Sequence, residues 1–83
     1  MRVTIRYFAS IREAIGQSSE QVETAAGTLA ALRDELMARS PVYAAALARG
    51  KAVRMALNQV MSDESALLAE GAEVAFFPPV TGG

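Results

Sequence analysis

The clearest indication of the fold in this sequence is the stretch EVAFFPP at residues 73–79. Its side chains alternate, so that Val74 and Phe76 lie on one face of a strand and Ala75 and Phe77 on the other. A strand that is apolar on both faces is typical of the interior of a sheet, where both faces are covered. We therefore expect a central strand here, with Phe76 and its face of the strand in the core and an outer face that another protein can cover.

Two prolines, Pro78 and Pro79, follow this strand and begin a tail. Proline fixes φ and lacks an amide hydrogen, so the pair ends the sheet ladder and directs the chain away in an extended form. Residues 80–83 then reach at most about 14 Å. Gly82 and Gly83 have no Cβ, so the main-chain carboxylate can enter a slot too narrow for other residues. The alternative is an ordinary frayed terminus, and composition alone does not separate the two.

Length and charge indicate one small domain without a surface for binding nucleic acid or membranes. The chain has 83 residues, with eight basic and nine acidic side chains and a net charge of −1. No cluster of Lys and Arg rises above that balance, so binding to nucleic acid or to an anionic membrane is not expected. The sequence also shows neither an apolar span of membrane length nor a signal peptide. We expect a soluble, cytoplasmic protein.

Two residue types that carry much of enzyme chemistry do not occur. The sequence has no cysteine and no histidine. This excludes disulfides, a thiol nucleophile, a persulfide carrier, an imidazole base and the usual zinc sites. If the chain takes part in a reaction, we expect a partner to supply the acid–base groups.

The remaining periodicities predict an α+β fold. Residues 18–24 are polar enough for an edge strand, whereas residues 1–8 direct Val3, Ile5 and Tyr7 toward a core. Further strands are predicted at residues 52–57 and 60–61, and a short helix at residues 42–49. Strands on both sides of one dominant helix predict a mixed sheet of about five strands, packed by that main helix and short helices.

A short helix is predicted after the first strand. Ser10 is placed to cap it, with Glu13 three residues later completing a capping-box pattern. Ile11 and Ile15 would face inward, and Gly16 would end the helix.

The main helix is predicted to begin after Thr28, which is a good N-cap residue. One apolar stripe is expected to pack on the sheet, formed by Leu29, Leu32, Leu36 and Met37. The opposite side is expected to carry Arg33, Asp34, Glu35 and Arg39.

Three connections are also predicted. Gly50 would end the helix at residues 42–49, and Asn58-Gln59 would form a tight turn between two strands, because Asn tolerates positive φ. Leu67-Leu68 would supply one anchor to the core in the loop before the last strand.

The C-terminal run at residues 70–83 closely resembles the end of the small, sulfur-carrying subunits of molybdopterin synthase. Upstream matches to this family lie at residues 3–16, at Thr28-Leu29 with Leu32, at Gly50-Lys51 and at residues 56–59. Two turn positions depart from the family pattern, namely Ala72, where an acidic residue is common, and Gln59, where related carriers often have glycine.

The resemblance implies a ubiquitin-like β-grasp domain spanning residues 1–83, with residues 78–83 as an extended tail. It implies that an activating enzyme uses ATP and Mg²⁺ to adenylate the carboxyl group of Gly83, while the chain binds no permanent cofactor. A sulfur donor would then convert Gly83 to a thiocarboxylate. The carrier would contribute no catalytic side chain of its own.

The resemblance also implies the partners. The loaded tail would insert into the large subunit of a heterotetramer with two small and two large subunits, and would donate sulfur to a cyclic pyranopterin phosphate precursor. Residues expected to contact this partner are Phe77, Pro78, Pro79, Val80, Thr81 and Gly82. The alternatives are a carrier for another pathway such as thiamin synthesis, a modifier that conjugates to lysines, and a β-grasp binding module with an inert terminus.

Overall fold

The computed structural model describes residues 1–79 and contains five strands, three α-helices and a short 3-10 helix within them. The strands are β1 (Arg2–Tyr7), β2 (Ser19–Glu23), β3 (Arg54–Leu57), β4 (Val60–Ser62) and β5 (Glu73–Phe77). The α-helices are α1 (Ala9–Ile15), α2 (Leu29–Met37) and α3 (Pro41–Ala46), and the 3-10 helix is Arg49–Lys51. None of the helices in this part of the chain is long and apolar enough to cross a membrane.

All five strands form one mixed sheet in the order β2-β1-β5-β3-β4. Strand β5 is parallel to β1 and antiparallel to β3, so it occupies the centre as the sequence predicts. Strand β2 lies at one edge, which confirms the prediction for this polar stretch. The predicted α+β class and mixed five-stranded sheet are confirmed.

One apolar core lies between the inner face of the sheet and the helices. The predicted inward residues of β1 and β5 are buried, and so is the stripe of α2 except for Met37, which packs at its border. The largest fully buried side chains are Tyr7, Phe76, Ile5, Leu29, Leu32, Leu36, Leu47, Val3 and Val74. Since β1, β5 and α2 supply most of them, the central strands and the main helix carry most of the apolar burial.

Three helix boundaries were predicted for α1 and α2, and two of them are confirmed. The hydroxyl of Thr28 accepts a hydrogen bond from the amide of Ala31 at 3.2 Å, as an N-cap does. Gly16 ends α1 with a φ of 89°, a left-handed conformation that glycine adopts at little cost. The predicted cap at Ser10 is wrong, because α1 already begins at Ala9 and no side chain caps it.

The parallel ladder between β1 and β5 explains why the cap prediction fails. The amide of Phe8 donates to the carbonyl of Phe76 at 3.2 Å, which extends the ladder to the last residue before α1. The chain turns at Ala9, whose φ is 50°, and the carbonyl of Phe8 accepts from Ile11 and Arg12. The helix therefore begins where the sheet ends, and Ser10 is already in its first turn.

The connections after α3 also differ from the prediction. Helix α3 ends at Ala46, and Gly50 lies inside the 3-10 helix instead of ending α3. The left-handed turn before β3 is made by Ala52, with a φ of 53°, so β3 begins at Arg54. The predicted Asn58-Gln59 turn is confirmed, since both residues have positive φ, at 51° and 69°.

Only one residue of the predicted Leu67-Leu68 anchor reaches the core. Leu68 is 8% exposed, whereas Leu67 is 75% exposed. Leu67 forms an isolated antiparallel bridge with Thr28, and the amide of Leu68 donates to the carbonyl of Gly27 at 2.9 Å. Backbone pairing thus fixes this loop, and successive side chains point to opposite sides.

Arg33 is buried, which contradicts its predicted position on the solvent side of α2. Its side chain is 4% exposed. Its Nε donates to the carbonyl of Leu47 at 2.7 Å, and its Nη2 to that of Ala48 at 3.1 Å. Burial lowers the pKa of Arg33 and the nearby Glu64 carboxylate opposes this, but arginine stays protonated at any ordinary pH. Arg33 therefore fastens the segment after α3 to α2 through two carbonyls, and that of Ala48 also accepts from the amide of Lys51 at 3.0 Å.

Replacing Arg33 with Ala is expected to lower the free energy of unfolding by about 2–4 kcal/mol, because two buried hydrogen bonds are lost and a cavity remains. Urea unfolding followed by circular dichroism measures this change. The matched control is Arg12→Ala on the exposed face of α1, which should cost less than about 0.5 kcal/mol. Equal losses in the two variants would contradict the role given to Arg33.

Glu20 on the edge strand collects three hydrogen bonds. Its carboxylate accepts from the hydroxyls of Tyr7 at 2.7 Å and Tyr43 at 2.9 Å, and from Nη1 of Arg39 at 2.8 Å. Burial alone would raise the pKa of Glu20, but these bonds outweigh it, and the pKa lies below its ordinary value. The network ties β2 to β1, to α3 and to the segment between α2 and α3.

Because folding lowers the pKa of Glu20, its ionised carboxylate stabilises the fold at pH values above the ordinary pKa of 4.5. This stabilisation is lost as the pH falls through the lowered pKa. We expect Glu20→Gln to be less stable than the parent chain by about 1–2 kcal/mol at neutral pH. The difference should shrink in strong acid, where Glu20 is protonated. Urea titrations across this range test it, with Glu13→Gln on exposed α1 as the control. A difference independent of pH would contradict the ionised network.

Candidate functional site

Strand β5 fixes the point at which the tail leaves the fold. Phe76, its inward residue, is fully buried, and its ring stacks on that of Tyr7 with centroids 6.2 Å apart. Main-chain pairing holds this end of the strand on both sides, since Phe76 pairs with Tyr7 of β1 and with Met55 of β3. The prediction that Phe76 belongs to the core is confirmed.

Phe77 lies on the opposite, outer face of the sheet and is half-buried. Its ring stacks on that of Phe8 with centroids 4.9 Å apart and planes inclined by 16°. The guanidinium of Arg6 lies 5.8 Å from the centroid of the Phe8 ring. Both rings are half-buried, so part of each remains exposed on this face of the sheet.

These two rings belong to a continuous apolar surface that we call the outer sheet patch. Alternation along β5, β3 and β4 places its members on one face, because Ala75 pairs with Ala56 and Ala56 pairs with Met61. The two alanines are almost fully buried and form a floor, whereas Met61 is 54% exposed. The patch consists of Phe8, Ala56, Met61, Ala75 and Phe77, around a shallow hollow of about 290 Å³.

Charged residues border the outer sheet patch. Arg6 and Glu73 lie along one side, with Arg6 Nη1 3.8 Å from a carboxylate oxygen of Glu73. Arg54 pairs with Phe77 across the sheet and lies on the same face near Pro78. An apolar centre with charges at the border has the general arrangement of a protein-binding surface.

The two prolines lie between the outer sheet patch and a second depression. Pro78 is half-buried beside Phe77, and Pro79 is exposed. Both line a groove of about 340 Å³ between α1 and the segment that follows α3. We call it the proline groove, and its lining residues are Ser10, Ile11, Ala14, Ala46, Lys51, Val53, Pro78 and Pro79.

The structure brings together three of the predicted site residues, namely Phe77, Pro78 and Pro79. The other four, Val80, Thr81, Gly82 and Gly83, lie outside the described residues. Phe8 and Met61 were not among the predicted site residues, although alternation along residues 1–8 puts Phe8 on the face opposite Val3, Ile5 and Tyr7. Within residues 1–79, no group of three or more acidic side chains could hold a metal ion.

The different positions of the two phenylalanines predict different costs of removal. Phe76→Ala should lower the free energy of unfolding by about 3–5 kcal/mol, since it empties a filled core position. Phe77→Ala, the matched control in the next residue, should cost about 1–2 kcal/mol, because it removes only a half-covered ring. Urea unfolding at equilibrium measures both, and a larger loss for Phe77→Ala would contradict the assignment of faces.

Comparison with known proteins identifies relatives along the whole chain. The model of the ThiS family matches residues 5–83. The "Molybdopterin synthase sulfur carrier subunit" of Escherichia coli is 41% identical over 81 residues, which cover 98% of this chain and 99% of that protein. This is the function that the resemblance in the sequence implied.

Solved structures support the same relationship. In Helicobacter pylori, a complex of subunits 1 and 2 of the molybdopterin-converting factor contains a chain that is 26% identical, with a TM-score of 0.69 and complete coverage of both chains. The crystal structure of SAMP1 from Haloferax volcanii matches with a TM-score of 0.79 and complete coverage at 24% identity, which shows the shared fold. The predicted ubiquitin-like β-grasp fold is confirmed, and the chain belongs to the ThiS family.

Proposed function

We propose that this chain is the sulfur carrier of a molybdopterin synthase and that its reactive group is the main-chain carboxyl of Gly83. The observation that carries the proposal is the near-complete match to a curated sulfur carrier subunit, together with a family match that extends to Gly83. The described structure agrees with this role, because the central strand holds the base of the tail rigidly at Phe76 and Phe77.

The chemistry begins with activation of a poor acyl donor. The Gly83 carboxylate attacks the α-phosphate of ATP in an activating enzyme, and pyrophosphate leaves with Mg²⁺. Hydrosulfide from a sulfur donor then attacks the acyl carbon of the Gly83 adenylate, the bond to the phosphate oxygen breaks, AMP departs, and the S–H proton is lost to solvent. The product is a thiocarboxylate. The chain itself holds no permanent cofactor in this proposal, and the cytoplasm is where we expect these steps.

The composition of the chain is consistent with sulfur carried on the main chain. No cysteine occurs in the sequence, so no thiol competes for the activated carboxyl or for the donor's sulfur. The partners therefore supply the acid–base groups, and the carrier supplies a reactive end no more than about 14 Å beyond the prolines beside its docking surface. Positioning of this kind can contribute several orders of magnitude to a rate.

The outer sheet patch is the surface that we propose for docking to the large subunit. The Helicobacter pylori complex is described as one of subunits 1 and 2, which supports a partner of this kind. Phe8, Phe77 and Met61 offer aromatic and sulfur-containing contacts, which often dominate binding energy at interfaces. Since the patch adjoins Pro78, a partner bound there also receives the tail.

In the proposed complex, Phe77, Pro78 and Pro79 contact the large subunit outside its active site. Val80, Thr81 and Gly82 then line the entrance that leads Gly83 to the pyranopterin precursor. Two carriers and two large subunits form the proposed heterotetramer, so that each dithiolene receives its two sulfurs from successive loaded carriers.

The proposal predicts that the tail is active only with its natural end. Adding one residue after Gly83, or replacing Gly82 with Val, should reduce thiocarboxylate formation by about 100-fold, because the acyl carbon no longer reaches the pocket. Intact mass after incubation with the activating enzyme, ATP and a sulfur donor measures the replacement of one oxygen by sulfur.

The matched control is Gly27→Val, where an added Cβ meets no atom within 4 Å. This variant should load as the parent chain does, and all three variants should keep the circular dichroism spectrum of the parent. Normal loading of the extended chain would contradict the assignment of Gly83.

A further inference from the structure

The proline groove adjoins the outer sheet patch at Pro78. This proline lines the groove, and it also lines a second hollow of about 290 Å³ together with Arg54, Met61 and Phe77. Met61 and Phe77 are members of the outer sheet patch, so the two surfaces are continuous around the proline. A protein that covers the patch and surrounds the prolines therefore meets the groove as well.

The groove itself is apolar and concave. Ile11 and Ala46 are buried at its base, whereas Ala14 is exposed and Val53 is half-buried. Its volume of about 340 Å³ lies near the lower end of the range for binding pockets. A groove of this size and composition can receive one or two apolar side chains of a partner.

Lys51 gives the groove its charge. Among residues 1–79 it is the only charged side chain of the lining, and its ammonium forms no ion pair there. Nearby Arg49, in contrast, pairs with Asp34 and, at 2.6 Å, with Glu64. Since Lys51 is exposed, its charge is available to a carboxylate that enters the groove from outside.

We propose that the proline groove is a second docking site for the large subunit, and that an acidic side chain of this partner pairs there with the Lys51 ammonium. The inference rests on the proposed function, which makes the large subunit the partner. Bound to both surfaces, the partner holds Pro78 and Pro79 from two sides. The carboxylate at Lys51 fixes the orientation of the partner, because charge pairs at an interface contribute more to specificity than to affinity.

Carbodiimide cross-linking of the full-length carrier to the purified large subunit tests this pairing. The reagent activates a carboxylate, and an amine in contact with that group displaces the activator and forms an amide. Lys51 is the only lysine of the sequence, and the other amine, at Met1, donates to the carbonyl of Thr24 at 2.8 Å. We expect tandem mass spectrometry to find an amide between Nζ of Lys51 and an acidic side chain of the large subunit.

Isothermal titration calorimetry measures what the groove contributes to affinity. Lys51→Glu should weaken binding of the large subunit at least about fivefold, because it places like charges together. Lys51→Arg should restore the affinity to within about twofold of the parent chain but abolish the cross-link. Ala14→Leu should weaken binding about fivefold by filling the groove. Its matched control is Ala45→Leu, at an exposed position of α3 outside the lining, which should bind as the parent does.

Three results would overturn the proposal. One is a complex in which Lys51 is not cross-linked to the large subunit. Another is an amide between Lys51 and a carboxylate of a carrier chain, which would mean that the carrier itself fills the groove. The third is unchanged affinity in Lys51→Glu or Ala14→Leu. Failure of the proposed function is distinguishable, because the parent chain would then not bind the large subunit at all, and both proposals would be wrong.

Discussion

The pairing of β5 with β1 and β3 is the constraint on which the rest of the structure depends. It places the last strand of the fold at the centre of the sheet, where Phe76 enters the core and Phe77 faces outward. Because both neighbours hold β5 through main-chain hydrogen bonds, the point at which the prolines begin is fixed to the core. A strand at a sheet edge would have only one neighbour and would hold that point less firmly.

The parts of the molecule remote from the tail stabilise this arrangement. Arg33 fastens α3 to α2, and Glu20 joins β2 to β1 and to α3. Both groups carry charge in places where water is largely excluded, and each is satisfied by several partners. The helices among residues 1–79 pack on the inner face of the sheet, so they leave its outer face to the partners that the proposed function requires.

Much of this fold could be predicted from the sequence, because the signals were local. Alternation in β1 and β5, the cap at Thr28 and the left-handed end at Gly16 depend on a few neighbouring residues. The failures have non-local causes. Ser10 has good capping chemistry, yet the ladder to Phe76 sets the start of α1 at Ala9. Arg33 was expected at the surface because nothing in its own helix indicates that it donates to two carbonyls of another segment.

The residues of the site divide in the same way, into those with local sequence signals and those placed by non-local contacts. Phe77, Pro78 and Pro79 were predicted from composition and from a family resemblance, and they lie together beside the outer sheet patch. Phe8 and Met61 belong to that patch because of the order of the strands in the sheet. Predicting the strands one by one does not give this order. The groove lined by Lys51 and the prolines depends on the packing of α1 against α3, and no sequence pattern indicates it.

The proposed function requires that the main-chain end at Gly83 carries the sulfur. Tandem mass spectrometry of the C-terminal peptide, from protein isolated out of cells that are making the cofactor, tests it most directly. We expect a fraction of the chains to have sulfur in place of one terminal oxygen of Gly83. A peptide that continues past Gly83, or a terminal carboxyl that contains only oxygen in every chain, would contradict it.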